Sequence, residues 1–177
     1  IQIEAAPSQP SVNLRAVQPQ LAGLRVLIVD DNATNRKILT LQLQTWGMKS
    51  RAAASGPEAL EWLERGERFD LAILDLRMPG MDGLTLAAEI RKRRDERALP
   101  LVMLTSIGSR TEVERSTEIQ FAAFLHKPIK TSLLYNALVD ALAQRPTRVQ
   151  EPAARVQIDA TLGERHPLRI LLAEDNL

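Results

Sequence analysis

Short apolar runs alternate with amphipathic stretches along most of this chain. Leu24 to Val29 is a branched, apolar run that ends in Asp30–Asp31–Asn32, and it reads as a buried strand. Thr34 or Asn35 is the expected cap of the helix that follows. In that helix Leu39, Leu43 and Trp46 share a face, Ile38 and Leu41 widen it, and Gly47 ends it. Met48 to Ala54 is a weaker strand. Ser55 caps a helix over Pro57 to Arg65 that buries Ala59, Leu60 and Leu63, with Glu58 in capping-box position. Leu71 to Leu74 is a third strand. It ends in Asp75 and runs at once into the turn-rich segment Met78 to Gly83.

The second half repeats the alternation. A helix is expected from Leu84 to Arg94, facing inward through Leu86 and Ile90, with a basic last turn that suits the helix dipole. Leu101 to Leu104 is a strand closed by Thr105–Ser106. Gly108 to Gln120 is polar and reads as a short exposed helix. Phe121 to Leu125 is a fifth strand, closed by His126–Lys127–Pro128. Lys130 to Ala143 carries a strong helical stripe: Leu134, Ala137, Leu138, Ala141 and Leu142. Five strands alternating with five helices predict a parallel sheet covered on both faces, a three-layer α/β sandwich.

The flanks differ. Residues 1–22 hold three prolines and no clear period, and they read as a linker or lead-in. The domain proper spans 23–144. A Pro/Arg/Ala-rich linker follows over 145–167. Leu168 to Asn176 (LRILLAEDN) then matches Leu24 to Asn32 (LRVLIVDDN) in residue type at all nine positions. This predicts a second copy of the domain over 168–177, cut after its first strand. The chain opens on Ile1 rather than Met, so it is read as a piece of something longer.

Composition narrows the chemistry. A net charge of +1 gives no bulk preference for nucleic acid or membrane. Without cysteine there are no disulfides and no thiolate metal sites, which is compatible with a reducing cytoplasm. No apolar run approaches the ~18–20 residues of a membrane span.

Parallel strands bring their carboxyl ends to one edge. That edge collects Asp30, Asp31, Asp75, Thr105, Ser106 and Lys127. Three carboxylates held together repel and call for a cation. Oxygen-only ligation fits Mg2+. A carboxylate is a competent nucleophile toward phosphorus, and phosphoryl transfer is largely positioning plus charge stabilisation. The reading is transfer to Asp75. Asp31 and Asp75 hold the ion, Asp30 helps hold it, and Lys127 and Thr105 meet phosphoryl oxygens.

The stretches LRVLIVDDNATNRKIL, LAILDLRMPGMDGL, LVMLTS and FLHKP closely resemble the receiver domains of two-component response regulators, over Leu24 to about Ala143. The resemblance implies a flavodoxin-like, doubly wound sheet of order 2-1-3-4-5. It implies Asp75 as phosphoacceptor, Asp30 and Asp31 as the acidic pair, Thr105 as switch hydroxyl and Lys127 as phosphate-binding lysine. It adds the backbone carbonyl of Arg77 as a Mg2+ ligand, Phe124 as a rotating aromatic and a Lys127–Pro128 bond that is often cis. The side chain of Arg77 is expected at the mouth of the site, placed to alter the phosphate's lifetime.

The repeated VDDN and AEDN starts and the LTSIGSR phrase look like hybrid sensor histidine kinases. The expected partners are a phosphohistidine donor, other receiver or transmitter domains of the parent chain, and a second copy in a homodimer. The expected location is the cytoplasm, with a parent free to be membrane-anchored. Signalling is expected to move the face formed by 108–143. The fragment is not expected to be a kinase by itself.

Other readings weigh less. A Mg2+-dependent aspartyl-nucleophile phosphatase usually keeps an acid two residues after its nucleophile, where this chain has Arg77. A nucleotide cradle lacks its glycines between Asp30 and Asn35. No helix-turn-helix follows Ala143, so no nucleic-acid partner is expected. His126 is read as a strand-end residue with a satisfied ring, Met78 and Met81 as loop packing, and Arg91 to Arg94 as a solvated helix end.

Overall fold

A computed structural model of the chain describes residues 14–95, 98–106 and 119–143. Nine elements follow in order: β1 (Arg25–Val29), α1 (Ala33–Thr45), β2 (Lys49–Ala53), α2 (Gly56–Glu64), β3 (Leu71–Asp75), α3 (Gly83–Arg91), β4 (Leu101–Thr105), β5 (Ala123–His126) and α4 (Thr131–Leu142). The strands form one parallel sheet of order β2-β1-β3-β4-β5. This is the doubly wound order 2-1-3-4-5 expected above. The helix expected over Gly108–Gln120 falls mostly outside the described residues, as do the linker at 145–167 and the repeat at 168–177.

Strand periodicity decides the layering. Alternate residues face opposite sides of a sheet. Val26, Ile28, Leu71 and Ile73 join one core cluster with Leu39 and Leu43 of α1 and Leu134 and Leu138 of α4. Leu27, Val29, Ala72 and Leu74 join the other, with Ala59 and Leu63 of α2 and Leu86 and Ile90 of α3. Strands β3 and β4 are buried along their whole length, which is why they read as continuous apolar runs.

Several expectations shift. The cap of α1 is Asn32, whose side chain accepts from the amides of Thr34 and Asn35, not Thr34 or Asn35 itself. Ile38 and Leu41 do not widen the buried face; they are 59% and 54% exposed. Helix α3 stops at Arg91, three residues early, in a tight turn whose Arg93 and Arg94 amides both return to the Ile90 carbonyl, while the Arg91 guanidinium donates to the carbonyls of Leu99 and Gln120. Strand β5 starts at Ala123 and takes in His126.

The lead-in is the largest correction. From Leu14 onward it is packed rather than a free linker. Leu21 is fully buried in the core beside α1 and α4. The indole Nε1 of Trp46 donates to the Leu14 carbonyl at 2.9 Å, and Gln18 N donates to the Trp46 carbonyl at 3.2 Å. Gln20 Nε2 donates to the Tyr135 hydroxyl, and Tyr135 meets Trp46 edge to face at 5.6 Å. Gly47, at φ +82°, makes the left-handed turn that ends α1 and lets Gly23 N reach its carbonyl at 2.8 Å. Among the described residues, no helix is long and apolar enough to cross a membrane.

Candidate active site

The carboxyl edge of the sheet is built by strands that end in polar residues. Asp30 follows the buried strand β1 and is itself fully buried. Asp75 closes β3 at 6% exposure, and Thr105 closes β4 with none. Lys127 follows β5, and its amide donates to the Thr105 carbonyl at 2.8 Å. Asp31 is exposed at the rim.

Carboxylate oxygens of Asp30, Asp31 and Asp75 lie within 4.8 Å of one another. The Lys127 ammonium sits between two of them, Nζ standing 2.9 Å from Asp30 Oδ2 and 2.9 Å from Asp75 Oδ1. Burial raises the Asp75 carboxyl above the usual carboxylate range, with the charge of Asp30 adding to it. Hydrogen bonds from Lys127 and the Arg77 amide offset part of the rise. For Lys127 burial is the largest single influence and lowers its pKa. Its bonds to Asp75 and Asp30 together outweigh burial, and the ammonium is held above the ordinary lysine value.

Helix α1 supplies a supporting group that the sequence reading did not single out. Asn35 Nδ2 donates to both carboxylate oxygens of Asp30, at 3.2 and 3.1 Å. Asn32 N donates to Asp30 Oδ1 at 2.8 Å. Arg36 Nη1 donates to the backbone carbonyls of Asp30 and Asp31, at 2.7 and 2.8 Å. Nothing in the spacing marked these contacts, because polar residues in the first turn of a helix ordinarily face water.

The loop after β3 is equally fixed. Leu76 N donates to the Leu104 carbonyl, Gly83 N donates to the Leu76 carbonyl, both at 2.9 Å, and Asp82 caps α3 by accepting from Thr85 N at 2.7 Å. Met78 is buried in the α2–α3 core and Met81 packs beside it. Arg77 is exposed. Thr105 Oγ1 lies 2.8 Å from His126 Nδ1, Phe124 stacks at a tilt on Phe121 at 4.9 Å, and the Lys127–Pro128 bond is cis.

A cavity of about 570 Å³ opens beside the cluster, between α1 and α4. Its lining joins Asp30, Asn35 and Lys127 with apolar side chains that include Ile38, Pro128 and Leu134. The donor set is entirely oxygen, from carboxylates. That suits a hard divalent cation and not a soft one.

Comparisons with known proteins bear on the family and the fold. The family model described as response regulator receiver domain matches residues 26–139. The transcriptional regulatory protein GlrR of Escherichia coli (strain K12) is 38% identical over 149 residues, which cover 84% of this chain and 32% of GlrR. The sensor histidine kinase CheAY of Helicobacter pylori is 38% identical over 104 residues, 58% of this chain and 13% of CheAY. The chain therefore spans a third or less of these two curated relatives. The solved structure of the Vibrio cholerae chemotaxis protein CheY4 superposes with a TM-score of 0.63 at 30% identity, covering 68% of this chain and 100% of CheY4.

Proposed function

This chain belongs to the response regulator receiver domain family, and from that premise we propose that it takes a phosphoryl group from a phosphohistidine onto Asp75 in a two-component phosphorelay. The observation that carries this is the Lys127 ammonium shared between Asp75 and Asp30, with Asp31 completing the carboxylate cluster. An Asp75 oxygen forms the new bond to phosphorus. The phosphorus–nitrogen bond breaks, and its electron pair returns to the donor imidazole.

Asp30, Asp31, Asp75 and the Arg77 carbonyl would hold Mg2+, which when bound supplies charge for the phosphoryl oxygens. Asn35 and Arg36 keep Asp30 and Asp31 in place. The Arg77 amide and Lys127 favour the ionised, nucleophilic form of Asp75 against the burial that opposes it. Lys127 meets one phosphoryl oxygen and Thr105 another. Thr105, Phe124 and α4 carry the change outward, toward the 108–143 surface.

The donor docks on α1. Exposed Ile38 and Leu41 stand on that helix, and Ile38 borders the cavity that opens onto Asp30 and Lys127. A hybrid sensor kinase in the cytoplasm is the parent we favour. Its support is the match to part of a protein named sensor histidine kinase and the second VDDN-like start at Leu168. On this reading 23–144 is the receiver, extended backward to Leu14 by the packed lead-in, and 145–167 links it to the next domain. Other receiver or transmitter domains of the parent, or a second copy of the chain, would read the output.

The test offers acetyl phosphate with Mg2+ and follows intact mass. One acid-stable, base-labile phosphoryl adduct is expected on wild type and none on Asp75→Asn. No adduct on wild type, or an undiminished one on Asp75→Asn, overturns the reading.

A further inference from the structure

Thr105 and His126 stand opposite each other in the β4–β5 register, so their side chains leave the sheet on the same face. The Thr105 hydroxyl is buried, the His126 ring is exposed, and Oγ1 lies 2.8 Å from Nδ1. A hydroxyl has one proton, and a neutral imidazole has one acceptor nitrogen. A Thr105 hydroxyl that donates to Nδ1 has no proton left for any other acceptor. Strand geometry holds the pair together, since Lys127 N bonds the Thr105 carbonyl directly beside it.

We propose that His126 is a positioning residue for Thr105: its Nδ1 holds the hydroxyl while Asp75 is unmodified and releases it when a phosphoryl oxygen on Asp75 accepts the hydroxyl's hydrogen bond instead. The inference rests on the reading of Asp75 as phosphoacceptor and Thr105 as the hydroxyl that meets the phosphoryl group. His126 then sets a threshold. The phosphoryl-bound arrangement forms only by breaking the Thr105–His126 bond, and removing the imidazole lowers that barrier to switching. The exposed ring side stays in water in both states, so the exchange is local.

The probe is beryllofluoride with Mg2+, a phosphoryl mimic that caps a carboxylate, added to the full 177-residue chain. In nitrogen-15 spectra of the imidazole, Nδ1 of His126 is expected as an unprotonated acceptor before addition. After addition it should move to the position of a solvent-exposed histidine. In Thr105→Val it should start there and stay. His126→Ala should bind beryllofluoride roughly two- to tenfold more tightly, the range one net hydrogen bond covers. His126→Asn, which keeps an acceptor at the same reach, should restore wild-type affinity. In a Thr105→Val background His126→Ala should change nothing. An unmoved Nδ1 signal while the Arg77 amide reports the adduct would overturn this inference alone. Equal affinity of His126→Ala and wild type would do the same. Failure of the Arg77 amide to respond at all would overturn the phosphoacceptor reading, and the role of His126 with it.

Discussion

Gly83 packs so closely on the carbonyl oxygen of Asp75 that no side chain fits between them. A Cβ on Gly83 would overlap that oxygen and stand 2.9 Å from Leu76 Cα. The contact ties the start of α3 to the proposed phosphoacceptor. It also explains a glycine at a helix N-terminus, where its backbone is not in the left-handed region.

Gly83→Ala should therefore push the Asp75 backbone away from Lys127. We expect a loss of about 1–3 kcal/mol in urea unfolding, the usual scale for overpacking a fixed site. Adduct formation with acetyl phosphate should fall with it. Wild-type stability together with wild-type phosphorylation would mean that the approach is slack.

Asp75 itself should be a stability cost. Its folded pKa is raised, chiefly by burial. A raised carboxyl contributes stability that is fully present below its unfolded pKa and lost as pH rises through the folded one. At neutral pH without metal the charged form is thus disfavoured by the fold. Asp75→Asn should raise Tm by several degrees at pH 7 in chelator, the scale on which about 1 kcal/mol acts in a domain of this size. The gain should shrink as pH falls into the carboxylate range. Thermal melts at both pH values check it, and a lower Tm for Asp75→Asn at pH 7 contradicts it.

The sheet was legible because its strands are short, apolar and closed by groups that break the pattern. Asp75 after Leu74 and Thr105 after Leu104 mark strand ends, and parallel pairing carries them to one edge. Other parts were hidden for physical reasons. Polar residues in the first turn of a helix usually face water, so Asn35 and Arg36 gave no sign that they brace the two acids. On a helical wheel Ile38 sits to one side of the buried stripe of α1 and Leu41 nearly opposite it. That helix buries only a narrow line through Leu39 and Leu43, which leaves both residues exposed. Proline and glutamine in the lead-in signalled a linker. A single leucine reaching the core and a few backbone bonds suffice to pin such a segment, and neither leaves a period.

That pinning is measurable. Leu21 is fully buried beside Trp46, and the Trp46 indole is bonded to the Leu14 carbonyl. Leu21→Ala should cost about 2–5 kcal/mol, as a buried leucine truncation does. The near-ultraviolet circular dichroism of Trp46 should weaken, because its indole loses the segment that fixes it. An unchanged unfolding midpoint would show that 14–23 does not contribute to the fold.

Lys127 and a divalent cation should substitute for each other in stabilising the carboxylates, but not in the chemistry. The ammonium lies 2.9 Å from both Asp30 and Asp75, and its own side chain is 24% exposed. Its raised pKa means that its stabilising effect is complete at neutral pH, and it disappears only as pH climbs through that raised value. Lys127→Met would leave two buried carboxylates with no ammonium between them. Breaking a buried pair typically costs about 3–5 kcal/mol, and partial exposure of the lysine argues for roughly 2–4 kcal/mol here, in chelator at pH 7. A ligand that binds only the folded state adds about 2.7 kcal/mol at a hundred times its Kd. Mg2+ should therefore restore more stability to Lys127→Met than it adds to wild type, because it finds the carboxylates uncompensated. Phosphorylation should nevertheless stay low in saturating Mg2+, since one phosphoryl oxygen then lacks its ammonium. Urea titrations with and without Mg2+ read the first effect and intact mass the second. An equal Mg2+ increment in both proteins would show that lysine and cation do not share these carboxylates.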